Sequence, residues 1–324
     1  MKIIVTGGNG MIGNNIKDII SNNSYSNNEF IFINRSLNNE LSVDLTNRED
    51  VLLFFEKFNF DYIIHLAADV GGLYKNINNN SSMFSNNTRI NENILEACIK
   101  YKINRGIFIL SSCIFPHNPS MFPMDENMIH ESPPHYSNEG YAYSKRMMHM
   151  QCKNLNKTYN TQFICLVPVN LYGAYDNFNP ENSHLLPGLM HRFHNSLDNK
   201  DNKDKKFIAY GSGKPLRQML YATDFANIIC DILINKLEIK TDTLICCNDY
   251  EYSIKDIVAK LSNVMNIQFD NIEWDNTKSD GCMKKSVSNK KFKDYYHNFN
   301  FTHLDTGLKK TYNWYRNNIN KIRK

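Results

Sequence analysis

No apolar run in this 324-residue chain approaches the ~20 residues that a membrane-spanning helix needs, which argues against an integral membrane protein. A strand pattern begins at Lys2, so the sequence leaves no room for a signal peptide ahead of it. An excess of charge of one sign is also missing. The 37 basic residues are scattered against 33 acidic ones, and a formal charge of +4 is too small for a nucleic-acid binder of this length. The eight cysteines form no CxxC pair and no metal-ligand spacing, which excludes a zinc module and a disulfide scaffold. Reduced thiols in a cytoplasmic, soluble protein are the expectation. The asparagine-rich stretches carry glycosylation sequons at Asn80 and Asn86, which have no consequence in that compartment.

What is present is enough apolar material, 42% of the residues, for a full core. In the N-terminal half, short β-branched runs at 2–6, 30–34, 62–66, 106–110 and 163–167 alternate with helical patterns. Near-continuous apolar strands separated by helices indicate a parallel sheet covered on both faces. The 83–101 segment places Ile90, Ile94, Leu95, Cys98 and Ile99 on one helical face. Past Pro180 the alternation stops. A charged loop at 199–206 precedes a strand at 207–210 and helices at 222–237 and 305–323, read as a smaller lobe.

Directly after the first strand comes Gly7-Gly8-Asn9-Gly10-Met11-Ile12-Gly13, glycines at G-x-x-G-x-x-G spacing followed by a helical pattern. That context makes it a dinucleotide loop of a Rossmann-type, doubly wound α/β fold. Gly7 permits the turn, Gly10 lets amides approach a pyrophosphate, Gly13 allows close helix–strand packing, and the helix start at Met11 and Ile12 faces the negative charge. The second strand ends in Asn34-Arg35-Ser36, with no acid for a ribose 2′-hydroxyl. Arg35 suits a 2′-phosphate, which favours NADP(H), although an exposed arginine at a strand end is commonplace. Asp44 is placed to flank the adenine, and Leu66-Ala67-Ala68 borders the same groove.

Tyr141 and Lys145 stand at i and i+4 on one helix face. An ammonium beside a phenol favours the phenolate, so Lys145 is expected to lower the pKa of Tyr141 and fit it for proton transfer; Lys145 also has the reach to hold a nicotinamide ribose. Tyr-x-x-x-Lys is weak alone. Its weight comes from following a strand that ends in Ser111-Ser112-Cys113, where Ser111 is placed to hydrogen-bond a substrate carbonyl.

These features resemble the short-chain dehydrogenase/reductase superfamily in its extended, sugar-nucleotide form. Longer strings resemble the GDP-L-fucose synthase family within it: HLAADVGGL (65–73), SSCIFP (111–116), MIHESPPHYSNEGYAYSKRM (128–147), PVNLYG (168–173), DNFNPENSHLLPGLMHRFH (176–194), YGSGKPLRQ (210–218) and TKSDGCMKK (277–285). The resemblance implies an NADPH-dependent epimerase/reductase acting on GDP-4-keto-6-deoxy-D-mannose, with residues 1–178 as the NADP-binding domain, to which some later segments return, and 179–324 mainly a substrate-binding lobe. It implies that Cys113 and His184 exchange protons at C3 and C5, and that Ser111, Tyr141 and Lys145 serve hydride transfer to C4. The cofactor surface then adds Leu110, Ser112, Pro168, Asn170, Leu171 and His184. Asn170, Arg192, Tyr210, Arg217 and Asp280 would hold the GDP-sugar, and the superfamily's two-helix interface implies a homodimer. Outside those strings, Cys113 reads as a small buried hydrophobe and His184 as a loop histidine. A related GDP-sugar with one epimerisation or none, of the colitose or heptose type, and a non-catalytic NADP-binding sensor stay open. Asp69 puts a charge where the family tends to be apolar.

Overall fold

The computed structural model describes residues 1–22, 27–35, 41–198, 206–234 and 239–323. Eleven strands occur among them: β1 (Lys2–Thr6), β2 (Glu29–Ile33), β3 (Tyr62–His65), β4 (Arg105–Ile109), β5 (Gln162–Pro168), β6 (Asn170–Tyr172), β7 (Phe207–Tyr210), β8 (Leu216–Tyr221), β9 (Thr243–Cys246), β10 (Glu251–Ser253) and β11 (Ile272–Asp275). The α-helices are α1 (Met11–Asn22), α2 (Arg48–Glu56), α3 (Leu73–Asn78), α4 (Asn80–Lys100), α5 (Glu139–Tyr159), α6 (Leu185–Asp198), α7 (Ala222–Ile234), α8 (Ile254–Val264), α9 (Lys290–Tyr295) and α10 (Leu304–Asn317).

Six strands form one parallel sheet in the order β2-β1-β3-β4-β5-β9. Ile3, Ile4, Val5, Ile63, Ile64 and Ile107 are wholly buried because helices cover both faces. The chain leaves β1 in one direction for β2 and returns on the other side for β3. That reversal opens a crevice beyond the strand ends, where Gly7 to Gly13 and Leu66 to Ala68 lie.

A second core, built from Phe193, Phe207, Met219, Ile257, Leu261, Leu308 and Tyr315 among others, gathers α6, α8 and α10 around a two-stranded sheet, β11-β7, and a three-stranded one, β10-β8-β6. Ser253 starts α8 with a capping box: its hydroxyl accepts from the Asp256 amide and the Asp256 carboxylate accepts from the Ser253 amide.

Element limits differ modestly from the sequence reading. The helix expected from residue 83 begins at Asn80, and the last helix ends at Asn317 rather than 323, because residues 318–323 turn back and Arg323 forms a bridge to Asn177. The helix of 222–237 is described to Ile234; the remainder, the charged loop at 199–205 and Ser36 lie outside the described residues. The alternation does not end at Pro180: β9 adds to the main sheet beside β5. Its four residues, Thr-Leu-Ile-Cys, are too short to stand out as a periodic signal.

Candidate active site

The first turn after β1 is shaped by contact. Gly7 has φ +71°, and a Cβ there would stand 2.9 Å from the Ala67 nitrogen. A side chain at Gly13 would stand 2.7 Å from the Gly8 carbonyl oxygen. The Gly10 amide closes the turn onto the Gly7 carbonyl at 2.8 Å, and α1 starts at Met11, so the amides of its first turn face the crevice without carbonyls of a preceding turn to accept them. A cradle that a single Cβ would fill, bounded by unspent amides, fits a dinucleotide pyrophosphate.

Beneath the cradle runs a buried polar chain. The Thr6 hydroxyl accepts from the Leu66 and Ala67 amides, both at 3.1 Å, and meets His65 Nδ1 at 2.8 Å. His65 Nε2 lies 3.2 Å from the Asn91 side-chain oxygen, and the Asn91 amide donates to the Ser144 carbonyl on α5. Burial first, and then the charge of Lys145, push His65 down to about 3, so this imidazole is neutral. The chain ties the nucleotide loop to the helix carrying Tyr141 and Lys145. The sequence reading missed it; polar Thr6 and His65 at the ends of two apolar strands were the available signal.

Arg35 and Asp44 stand exposed at the end of β2 and beyond it. The Asp44 carboxylate accepts from the Thr46 amide and hydroxyl at 2.9 and 2.7 Å, bonds that hold it below its usual pKa, with Arg35 adding to the effect. Asp69 now has an account. Its carboxylate pairs with Lys75 on α3 at 2.6 Å and accepts from Asn86, while Asn87 bonds its backbone amide and carbonyl. Burial alone would raise this acid, but the Lys75 and Asn86 bonds outweigh it and keep Asp69 ionised. The charge is a latch that fixes residues 69–72 to α3 and α4.

That latch positions His184. Gly72 donates its amide to the Asn182 carbonyl at 3.0 Å, and its missing side chain is where the Ser183 carbonyl oxygen packs. The turn of residues 179–184 is further tied by the Asn179 side chain, which accepts from the Glu181 and Asn182 amides. His184 follows at the start of α6, its carbonyl accepting from Gly188. Its side chain is exposed to solvent, and the protein atoms packed around the ring lower its pKa.

Ser111 caps the short 3-10 turn Ser112–Ile114, its hydroxyl accepting from the Cys113 amide at 3.3 Å. Two bonds stitch this segment to α5. Lys145 Nζ donates to the Ile109 carbonyl at 2.8 Å, and Arg146 Nε donates to the Ile114 carbonyl at 2.7 Å. Leu110 joins the sheet through its amide to Leu166, and Ser112 is buried. The Lys145 nitrogen stands 5.9 Å from the centre of the Tyr141 ring. One expectation is corrected here. Burial raises the Tyr141 pKa, with the Cys113 sulfur contributing, in place of the lowering expected from Lys145. The ammonium is itself 2% exposed and pushed down to about 8 by burial. In so dry a place desolvation governs both groups.

Across the crevice β5 ends at Pro168 and β6 begins at Asn170, whose side chain donates to the Gln218 carbonyl at 2.8 Å, with half-buried Leu171 next to it. Arg192 lies 4.0 Å over the Tyr210 ring, and its Nε is buried without a partner. Lys278 faces the same ring at 5.6 Å. A guanidinium held by stacking, with donors to spare, suits diphosphate oxygens. Arg217 is another cation in protein surroundings: burial lowers its pKa, and Cys113, Asp280 and Glu251 lie close enough to counter that. Asp280 spends both oxygens on Ser212, accepting from its amide and hydroxyl at 2.7 Å each. It therefore shapes the turn after Tyr210. Among the described residues no cluster of three or more metal-ligating side chains occurs, and no helix is long and apolar enough to cross a membrane.

Residues 3–245 match the NAD dependent epimerase/dehydratase family. Over 322 residues, covering 99% of this chain and 97% of the other, the sequence is 35% identical to a GDP-L-fucose synthase of Dictyostelium discoideum. The fold superposes on a GDP-L-fucose synthetase from Naegleria fowleri bound to NADP with a TM-score of 0.86, at 33% identity and with 100% and 95% of the two chains covered. A GDP-L-colitose synthase of Yersinia pseudotuberculosis is 26% identical over 321 residues, 99% of each chain.

Proposed function

The chain belongs to the NAD dependent epimerase/dehydratase family, among its GDP-L-fucose synthases, and on that footing we propose that it converts GDP-4-keto-6-deoxy-D-mannose to GDP-L-fucose with NADPH. One observation carries the reading. Cys113, which the reading assigns to proton exchange, sits on the same stitched segment as Ser111 and close to Tyr141, which supports a site where both halves of the reaction act on one carbonyl.

Protons next to a ketone become acidic only when the enolate oxygen is stabilised. Ser111 hydrogen-bonds that oxygen. Cys113 and His184 come from separate walls, the strand end after β4 and the start of α6, and inversion needs a proton removed on one face and returned on the other. After C3 and C5 are inverted, C4 would take the hydride that bound NADPH would supply. Tyr141 then protonates the new alkoxide; its raised pKa suits a donor that keeps its proton until that oxygen turns basic. Lys145 would hold the nicotinamide ribose. Met11, Ile12 and Gly13 receive the pyrophosphate, and Arg35 takes the 2′-phosphate. Arg192 and Arg217 grip the GDP diphosphate.

Residues 1–178, completed by β9, serve as the cofactor domain, and most of 179–324 as the substrate lobe. Exposed Tyr143, Met147 and Met150 line the outer face of α5, and Phe84 that of α4, a surface suited to a homodimer. A cytoplasmic location accords with eight unpaired cysteines. Similarity to a GDP-L-colitose synthase supports one second reading, a different deoxy sugar. Turnover of GDP-4-keto-6-deoxy-D-mannose and NADPH in deuterated water, followed by NMR, separates the two. Deuterium at C3 and C5 with stoichiometric loss of NADPH is expected. Oxidation of NADPH without label reduces the protein to a 4-reductase, and no turnover points to the other sugar. Cys113→Ser should abolish label uptake.

A further inference from the structure

Lys285 Nζ lies 3.8 Å from the Cys113 sulfur, within hydrogen-bonding reach for an N–H···S contact, although the two residues are far apart in sequence. Among the described residues no carboxylate pairs with Lys285: its neighbour Lys284 takes Glu251, and Ser286 also bonds Glu251. The carboxylates of this region, Asp280 and Glu251, are engaged by Ser212 and by Lys284 and Ser286. Arg217 is close to both Cys113 and Asp280, while His135, which faces His117, Lys285 and Arg217, is pushed down to about 4 by burial and those charges and so carries no charge at neutral pH. Tyr141, also near the sulfur, is held protonated by burial. The two ends of the contact are positioned independently, since Leu216 bonds the Met283 carbonyl and Val287 bonds Gln218, fixing the segment that bears Lys285, whereas the Ser111 cap fixes Cys113.

We infer that Lys285 is the counter-ion of the Cys113 thiolate, a positioning residue that makes this cysteine the proton-accepting member of the exchange pair. The inference deepens the epimerase reading and rests on it for its purpose, not for its test. A thiolate is favoured by a cation a few ångströms away. When the sulfur takes a proton from the carbon beside the ketone, the C–H bond breaks, an S–H bond forms and the electron pair moves to the carbonyl oxygen. The ammonium keeps its proton throughout.

The measurement needs no substrate. The other seven cysteines are buried, so alkylation of the folded full chain by iodoacetamide, followed by mass spectrometry of the Cys113 peptide, reads this thiolate alone. The pH midpoint of the rate should rise by about one unit in Lys285→Met, with a ~10-fold slower rate at pH 7, and Lys285→Arg should restore most of it. Lys285→Gln provides the same comparison should the methionine variant fold poorly. Superimposable profiles for wild type and both neutral variants would overturn the inference. If the pairing holds while the wild type incorporates no deuterium, the epimerase reading fails and the ion pair stands.

Discussion

The side-chain nitrogen of Lys145 donates a 2.8 Å hydrogen bond to the carbonyl of Ile109, two residues before Ser111. A buried cation thus props the strand end that presents the carbonyl-binding serine. Tyr141→Phe should cut hydride transfer by roughly 10²–10⁴-fold while leaving deuterium exchange at C3 and C5 much less affected, measured by NADPH oxidation and NMR side by side. Equal losses in both would remove Tyr141 from its assigned step. The same lysine has a signature in stability. Its pKa is about 8 in the fold and 10.5 when unperturbed, so the unfolded chain binds the extra proton between those values and stability rises with pH across that window. Lys145→Met should lack that rise, and denaturant midpoints at pH 7.5 and 9.5 give the comparison.

Gly72→Ala tests the seat of His184. The new methyl would collide with the Ser183 carbonyl oxygen, so the 179–184 turn must move. Deuterium exchange should fall at least ~10-fold and stability by about 1–3 kcal/mol, read by NMR and by denaturant midpoints. Unchanged exchange would mean that the turn yields without moving His184.

Asp176 is buried, with one carboxylate oxygen unpaired, and burial lifts its pKa to about 7 from 3.8. The unfolded chain loses this proton near pH 4 and the folded one only near pH 7. Ionisation therefore works against folding increasingly from pH 4 to 7, and fully above that. Asp176→Asn should be more stable than wild type at pH 8, by up to about 4 kcal/mol, with the gap closing towards pH 4. A variant less stable at pH 8 than wild type would show that the carboxylate is needed in its ionised form, by Arg323 or another partner.

Glycine spacing and β-branched runs made the main sheet legible because those signals are local: Gly7, Gly10 and Gly13 lie within one turn, and Ile3 to Val5 form one buried strand. Lys285 and the Thr6–His65–Asn91 chain were not legible, since each depends on residues brought together across the fold. The direction of the Tyr141 shift was misjudged for a related reason: i and i+4 spacing reveals a neighbour but not the dryness around it. Asp69 looked anomalous for want of its partner, because only packing puts Lys75 and Asn86 against it.

The insertion of β9 between the early part of the substrate lobe and its remainder has a consequence for synthesis. A growing chain presents β5 as an open sheet edge until residues 243–246 have left the ribosome, by which point α6, β7 and β8 have already emerged. Until then that bare edge offers unpaired amides and carbonyls to any other strand. Pausing sites upstream of residue 243 would prolong the exposure, so the yield of folded protein should depend on how quickly this stretch is translated.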